Sequence, residues 1–217
     1  MCFQLPSPSS TIFLVALLIS PAQVAGQSVL AIEQIGDRAA ISITQLGLEN
    51  TLLLRNGSDA GGASNDLAAN LTQVGTGNVM LLIAAGGAHA STLSVLQEGN
   101  GNSILLNNAG AGAFNLSATQ TGDLKSLSIG ASASASVASI QALQFGSGAH
   151  HAEISLLSPG HTVTLEQGGE GSHSAQIALS GNSRSVDVRQ GGAVARSISI
   201  NDSCTLSCSS PIVVNQR

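Results

Sequence analysis

The chain has 217 residues, of which only 9% are charged and 2% aromatic, with no Trp or Tyr and a net charge of −5. A globular enzyme of this size normally carries far more charge, and a nucleic-acid binder needs a basic surface. Composition therefore argues against both classes and towards a repeat protein rich in Gly, Ala, Ser, Asn and Gln.

In chain order, residues 11–19 (Thr-Ile-Phe-Leu-Val-Ala-Leu-Leu-Ile) form an apolar run too short to span a bilayer. Pro21 follows, then the small residues Val24-Ala25-Gly26 before Gln27. This reads as a secretory signal peptide over 1–26, although residues 1–10 contain no Lys or Arg. Cys2 precedes the apolar run, so it is not a lipoprotein cysteine. The remainder, 27–217, is expected to be one exported domain without a transmembrane segment.

Three alternating runs come next: Leu30-Ile32-Gln34, Ala39-Ile41-Ile43-Gln45 and Asn50-Leu52-Leu54-Asn56. Alternation of period two marks strands with one inward face. A polar, glycine-rich insertion, residues 57–66, reads as a corner loop. Beyond it the clearest phrase occurs twice, Gln73-Val74-Gly75-Thr76-Gly77-Asn78 and Gln97-Glu98-Gly99-Asn100-Gly101-Asn102. Apolar alternation flanks both copies, so each reads as strand, tight turn, strand, with Gln as the last inward residue.

A Gln-x-Gly unit recurs at Gln34, Gln45, Gln73, Gln97, Gln120, Gln144, Gln167 and Gln190, and Gln216 ends the series; from Gln73 the steps are 24, 23, 24, 23, 23 and 26. Such a period predicts a stacked-repeat fold. The expectation is an all-β solenoid of about seven rungs of about 23 residues, with a half rung at each end, standing roughly 34 Å tall. The turns should be made by Gly36, Gly47, Gly75, Gly77, Asn78, Gly99, Gly101, Asn102, Gly122, Gly146, Gly169 and Gly192. A looser second column, Asn56, Ala84, Asn108, Ala131, Ser158, Ser180 and Asp202, is expected at the opposite corner. Stacked Gln or Asn amides can donate to one neighbour and accept from the other, which satisfies buried polar groups along the column.

The pattern Gln-x-Gly-x-Gly-Asn, followed two and four positions later by inward apolar residues, resembles the repeat of curlins, the subunits of bacterial curli. The match is specific at 73–84 and 97–108, good at 45–56, partial at 144–158 and 167–180, and weakest at 120–131 and 190–202. In the partial copies His150 and His173 stand near the Asn position. The closing Pro211–Arg217 stretch resembles the basic-ended last repeat of minor, nucleating curlins. The resemblance implies an extracellular amyloid fibre subunit that assembles with copies of itself or other curlin-like subunits. Curli export and anchoring proteins are then the expected partners. Alternatives are a non-polymerising cell-surface solenoid adhesin or a protein that nucleates or anchors the fibre.

Three residue sets could suggest other chemistry. His150 and His173 are equivalent in adjacent rungs, whereas His161 opens the opposite strand layer roughly 20 Å away, so no shared metal site is expected. Cys204 and Cys208 would lie about 13 Å apart in one strand, too far to bond, but could form a disulfide in a turn. No nucleophile elbow is present, no carboxylate pair has an enzyme's setting, and neither catalysis nor a cofactor is expected. One further feature is physical rather than chemical. Leu53, Val79, Leu81, Ile83 and Leu105 fall out of phase with the inward set, and should form an outward apolar stripe in the N-terminal half, a candidate interaction site.

Overall fold

The computed structural model describes residues 28–34, 39–56, 67–84, 91–108, 113–131, 138–205, 208 and 210–217. The expected signal peptide, Gly36 and the 57–66 insertion lie outside these residues.

The described residues are strands and corners with no helix. β1 (Val29–Gln34) comes first, and seven pairs follow. β2 and β3 (Ala39–Ala40, Ile43–Leu46) lead to β4 (Thr51–Asn56), and β5 and β6 (Leu67–Ala68, Leu71–Val74) to β7 (Val79–Ala84). β8 and β9 (Ser91–Thr92, Val95–Glu98) lead to β10 (Ser103–Asn108), and β11 (Phe114–Thr121) to β12 (Ser126–Ala131). β13 (Ala138–Phe145) leads to β14 (His151–Leu156), β15 (Thr162–Gly168) to β16 (Ser174–Gly181), and β17 (Ser185–Gly191) to β18 (Ser197–Cys204). β19 (Ile212–Gln216) closes the series.

All pairings are parallel. One sheet runs β1-β4-β7-β10-β12-β14-β16-β18; the other runs from β2 and β3 through β5 and β6, β8 and β9, β11, β13, β15 and β17 to β19. Consecutive strands alternate between the sheets, so each strand of one sheet serves as the crossover for the other, and the chain winds as a β-solenoid. The expected fold is the one observed.

Alternation explains the core. In β7 and β10, Met80, Leu82, Ile104 and Leu106 are fully buried, and in register Met80 lies beside Ile104 and Leu82 beside Leu106. The second sheet supplies the opposing side, including Leu71, Val95, Leu165 and Val188. The early strands of that sheet are each split. Asn70 (φ 83°) separates β5 from β6 and Ser94 (φ 61°) separates β8 from β9. A left-handed residue cannot continue a strand, and Asn tolerates that conformation better than most side chains do. Ser117, at the equivalent level, stays within the unbroken β11.

Two expectations about columns are corrected by register. Gln34 was expected in the ladder with Gln45, but it ends β1 and pairs with Asn56 in the first sheet. Its run, Leu30-Ile32-Gln34, has the phase of Leu52-Leu54-Asn56, so it is a strand of that sheet and the ladder starts at Gln45. In the opposite column, the partners of Ala131 are Leu156, then Leu179, then Asp202, rather than Ser158 and Ser180. Corner lengths vary there, and counting from the glutamines places the column one or two residues late.

Candidate functional site

The most ordered polar feature is the interior of the corner that follows the second sheet. Gln73, Gln97, Gln120, Gln144 and Gln167 are fully buried, with Gln45 and Gln190 nearly so. Each side-chain Nε2 donates to Oε1 of the next glutamine: Gln73 to Gln97 at 2.8 Å, Gln97 to Gln120 at 2.9 Å, Gln120 to Gln144 at 2.8 Å, Gln144 to Gln167 at 2.7 Å and Gln167 to Gln190 at 2.8 Å. Gln45 begins the series at 3.4 Å and Gln190 hands it to Gln216 at 2.8 Å. The second amide hydrogen crosses the core to a backbone carbonyl of the other sheet, as from Gln97 to Val79 and from Gln120 to Ser103, both at 3.1 Å. Both amide hydrogens are thus used, and every amide points the same way. The column is polar from end to end.

Beside it stands a second buried column: Asn50, Asn78, Asn102, Lys125, His150 and His173, continued by Arg196. In its first part each Asn Oδ1 accepts the backbone N–H of the next column residue, from Asn78, Asn102 and Lys125, at 2.9–3.0 Å. Each Nδ2 donates to the carbonyl just after its own glutamine and to a glycine carbonyl of the next rung, Gly75, Gly99 or Gly122.

The histidines reproduce this pattern with a ring. His150 Nδ1 accepts the His173 backbone N–H at 3.3 Å, which leaves the proton on Nε2 to donate to the Phe145 carbonyl at 2.7 Å. His173 Nε2 pairs likewise with the Gly168 carbonyl at 3.1 Å. The two rings stack with centroids 5.1 Å apart and planes 1° from parallel. The wider imidazole sits where the step from Gln to the column residue grows from five residues to six, as in Gln144 to His150.

Lys125 stands at that transition, where spacing alone predicts another Asn. Its Nζ donates to the carbonyls of Asp123 (3.2 Å), Gly146 (2.8 Å) and Gly148 (2.7 Å). Three carbonyls match the three donors of an ammonium, and the long stem spans from a short corner to a long one. Burial holds the Lys125 pKa below its usual value, with the nearby Asp123 charge opposing. The residue was not singled out from sequence. The available signal was a break in the Asn column at the rung where the spacing changes.

The expected turn residues form a backbone column of their own. Gly47, Gly75, Gly99, Gly122, Gly146, Gly169 and Gly192 all have positive φ. At Gly99 (φ +119°) a Cβ would stand 2.2 Å from the Gly122 carbonyl oxygen, so no side chain fits beneath the next rung. Gly77 and Gly101 are less demanding, since Glu49 and Leu124 occupy the equivalent position at φ 56° and 57°.

At the opposite corner Ser158, His161, Arg184 and Asp202 gather. The Ser158 hydroxyl donates to the Gly181 carbonyl at 2.8 Å, so the His161 Nε2–H, 2.9 Å away, donates to Oγ. That direction is the reverse of what would activate the hydroxyl as a nucleophile. Arg184 Nε lies 2.9 Å from an Asp202 carboxylate oxygen. Among the described residues no three His, Cys, Asp or Glu side chains converge as a metal site. Cys204, which ends β18, is disulfide-bonded to Cys208. The residues of the expected stripe share the outer face of the first sheet: Leu53, Leu81 and Leu105 are stacked in register, flanked on β7 by Val79 and Ile83. No family model, curated protein or solved structure matches the chain.

One consequence concerns pH. Burial, reinforced by Lys125 and His173 and opposed by the Phe145 carbonyl bond, pushes the His150 pKa down to about 4 from 6.5. Between those values the unfolded chain binds a proton that the folded chain refuses, so stability is intact above pH 6.5 and is lost as pH falls towards 4. Protonated Nδ1 would also face the His173 N–H. Denaturant titrations of the monomer should lose about 2–3 kcal/mol between pH 7.5 and 4.5. Burial lowers the His161 pKa as well, with Asp202 opposing, so a His150→Asn variant should shed only part of that dependence; an unchanged loss in the variant would assign it wholly to other groups.

Proposed function

We propose that the chain is a structural subunit of an extracellular, curli-like fibre, exported and assembled by end-to-end stacking of copies. The observation that carries this reading is the state of the two ends. Among the described residues, β1 and β2–β3 are edge strands at one end and β18 and β19 at the other. Unpaired strand edges are templates for further pairing. Among the described residues the Gln45 Oε1 and Gln216 Nε2 ends of the ladder are likewise open, an acceptor at one end and a donor at the other.

The overhangs are also complementary. One end presents a strand of the first sheet ahead of the second, and the other end the reverse. A second copy can therefore lay β1 on β18 and β2–β3 on β19, continuing both sheets and the ladder without a gap. Residues 184–217 carry four of the seven basic residues and only two of the twelve acids, so this end is positive against an otherwise acidic chain. A role in adhesion or a biofilm matrix, with export and anchoring partners, follows from the resemblance to curlins.

In the second sheet, inward residues direct N–H towards the preceding rung, as Leu71 does to Ser42 at 2.8 Å. Outward Val213 and Asn215 of β19 therefore aim their amides at the free edge. Proline is tolerated where a strand's N–H faces solvent. Val213→Pro with Asn215→Pro should leave the monomer folded but slow seeded growth at least tenfold. Undiminished growth at both fibre ends would exclude templating through β19.

A further inference from the structure

The outer face of the first sheet has a central column that register defines completely: Ala31, Leu53, Leu81, Leu105, Ser128, Glu153, Gln176 and Ser199. Four apolar levels are followed by four polar ones, and Glu153 is the single charge among them. Leu105 and its diagonal neighbour Val79 are each 41% exposed. Such a stripe amounts to a few hundred Å², well under the roughly 800 Å² per partner of a stable complex. Two isolated copies would not hold together through it. In a stack of copies, however, β1 of the next copy follows β18, and the stripe recurs every eight levels, roughly 38 Å. The contact then adds along the length.

We infer that this face is the seam through which two filaments of this chain pair side by side, in antiparallel orientation. The inference rests on the end-to-end assembly proposed above. The occupant is a second copy because the column is complementary to itself in one orientation only. Antiparallel pairing with stripe on stripe sets Leu53 against Leu81, Ala31 against Leu105, Ser128 against Ser199 and Glu153 against Gln176. Two-fold contacts of this kind are isologous. Parallel pairing in register would set Glu153 against Glu153, a like-charge juxtaposition that an interface disfavours. The antiparallel arrangement instead gives each carboxylate an amide donor.

The test uses filaments grown from the full mature chain and counts single and paired filaments by electron microscopy, with labelled seeds to report polarity. Leu81→Thr with Leu105→Thr, which keeps strand preference, should leave elongation within about twofold and reduce the paired fraction at least fivefold. Gln176→Glu should separate pairs at low salt, and Gln176→Lys should strengthen them, because position 176 faces Glu153. Pairing that survives the threonine changes, or weakens with Gln176→Lys, overturns the seam while leaving end-to-end assembly intact. A marked loss of monomer stability in the threonine variant would show that the stripe is covered within one subunit, which also overturns it. Wild-type chain that forms no filaments removes both the seam and the fibre reading.

Discussion

Gly99→Ala should abolish or nearly abolish folding of the solenoid. The position has φ +119°, and its new Cβ would lie 2.2 Å from the carbonyl oxygen of Gly122. That obstacle is backbone held by the ladder on both sides, so it cannot turn away as a flexible side chain could. Backbone strain alone costs about 1–3 kcal/mol, and the forced separation of two rungs adds to it. Gly192→Ala supplies the control: φ is +100°, yet nothing lies within 4 Å of the added carbon. Denaturant melts of the two variants should differ by at least about 2 kcal/mol. Equal destabilisation would mean that dihedral strain, rather than stacking of one corner on the next, dictates glycine here.

Gln120→Leu should also be strongly damaging, by about 2–6 kcal/mol. The change strands one Gln97 amide hydrogen and the Gln144 Oε1, each costing about 1–3 kcal/mol when left buried and unpaired, whereas the Ser103 carbonyl keeps its place in the β10–β12 ladder. Replacing Gln97 as well only moves the break to Gln73, since the Val79 carbonyl keeps its partner in the β7–β10 ladder. The double variant should therefore be little worse than the single one, a departure from additivity expected of residues in one network. Glu98→Gln, on the exposed face, should change stability by less than about 0.5 kcal/mol. Additive losses at 97 and 120 would show that the amides act separately.

The fold was legible because both periods reinforce each other. Alternation of two identifies strands, and a Gln-x-Gly unit every 23 or 24 residues says which strands stack. The ladder from Gln45 to Gln216 and the Asn corners at Asn78 and Asn102 follow directly from that repetition. Spacing alone does not carry register. Gln34 has the right neighbours and a plausible step from Gln45, but its strand belongs to the other sheet. Leu156 and Leu179, rather than Ser158 and Ser180, occupy the opposite column because hydrogen bonds between rungs set alignment, and corners absorb the surplus residues. Lys125 was hidden for a different reason. A buried lysine is usually excluded by its charge, and only the convergence of three carbonyls makes the position acceptable. The strand breaks at Asn70 and Ser94 left no periodic signal, since the inward phase resumes after each.

X-ray diffraction from aligned fibres of residues 27–217 is the sharpest test of end-to-end assembly. Stacked solenoids whose strands lie across the fibre predict a sharp reflection near 4.8 Å along the fibre axis and a diffuse one near 10 Å perpendicular to it. A protein that stays monomeric for weeks at high concentration would contradict end-to-end assembly, as would fibres with the 4.8 Å reflection perpendicular to their axis.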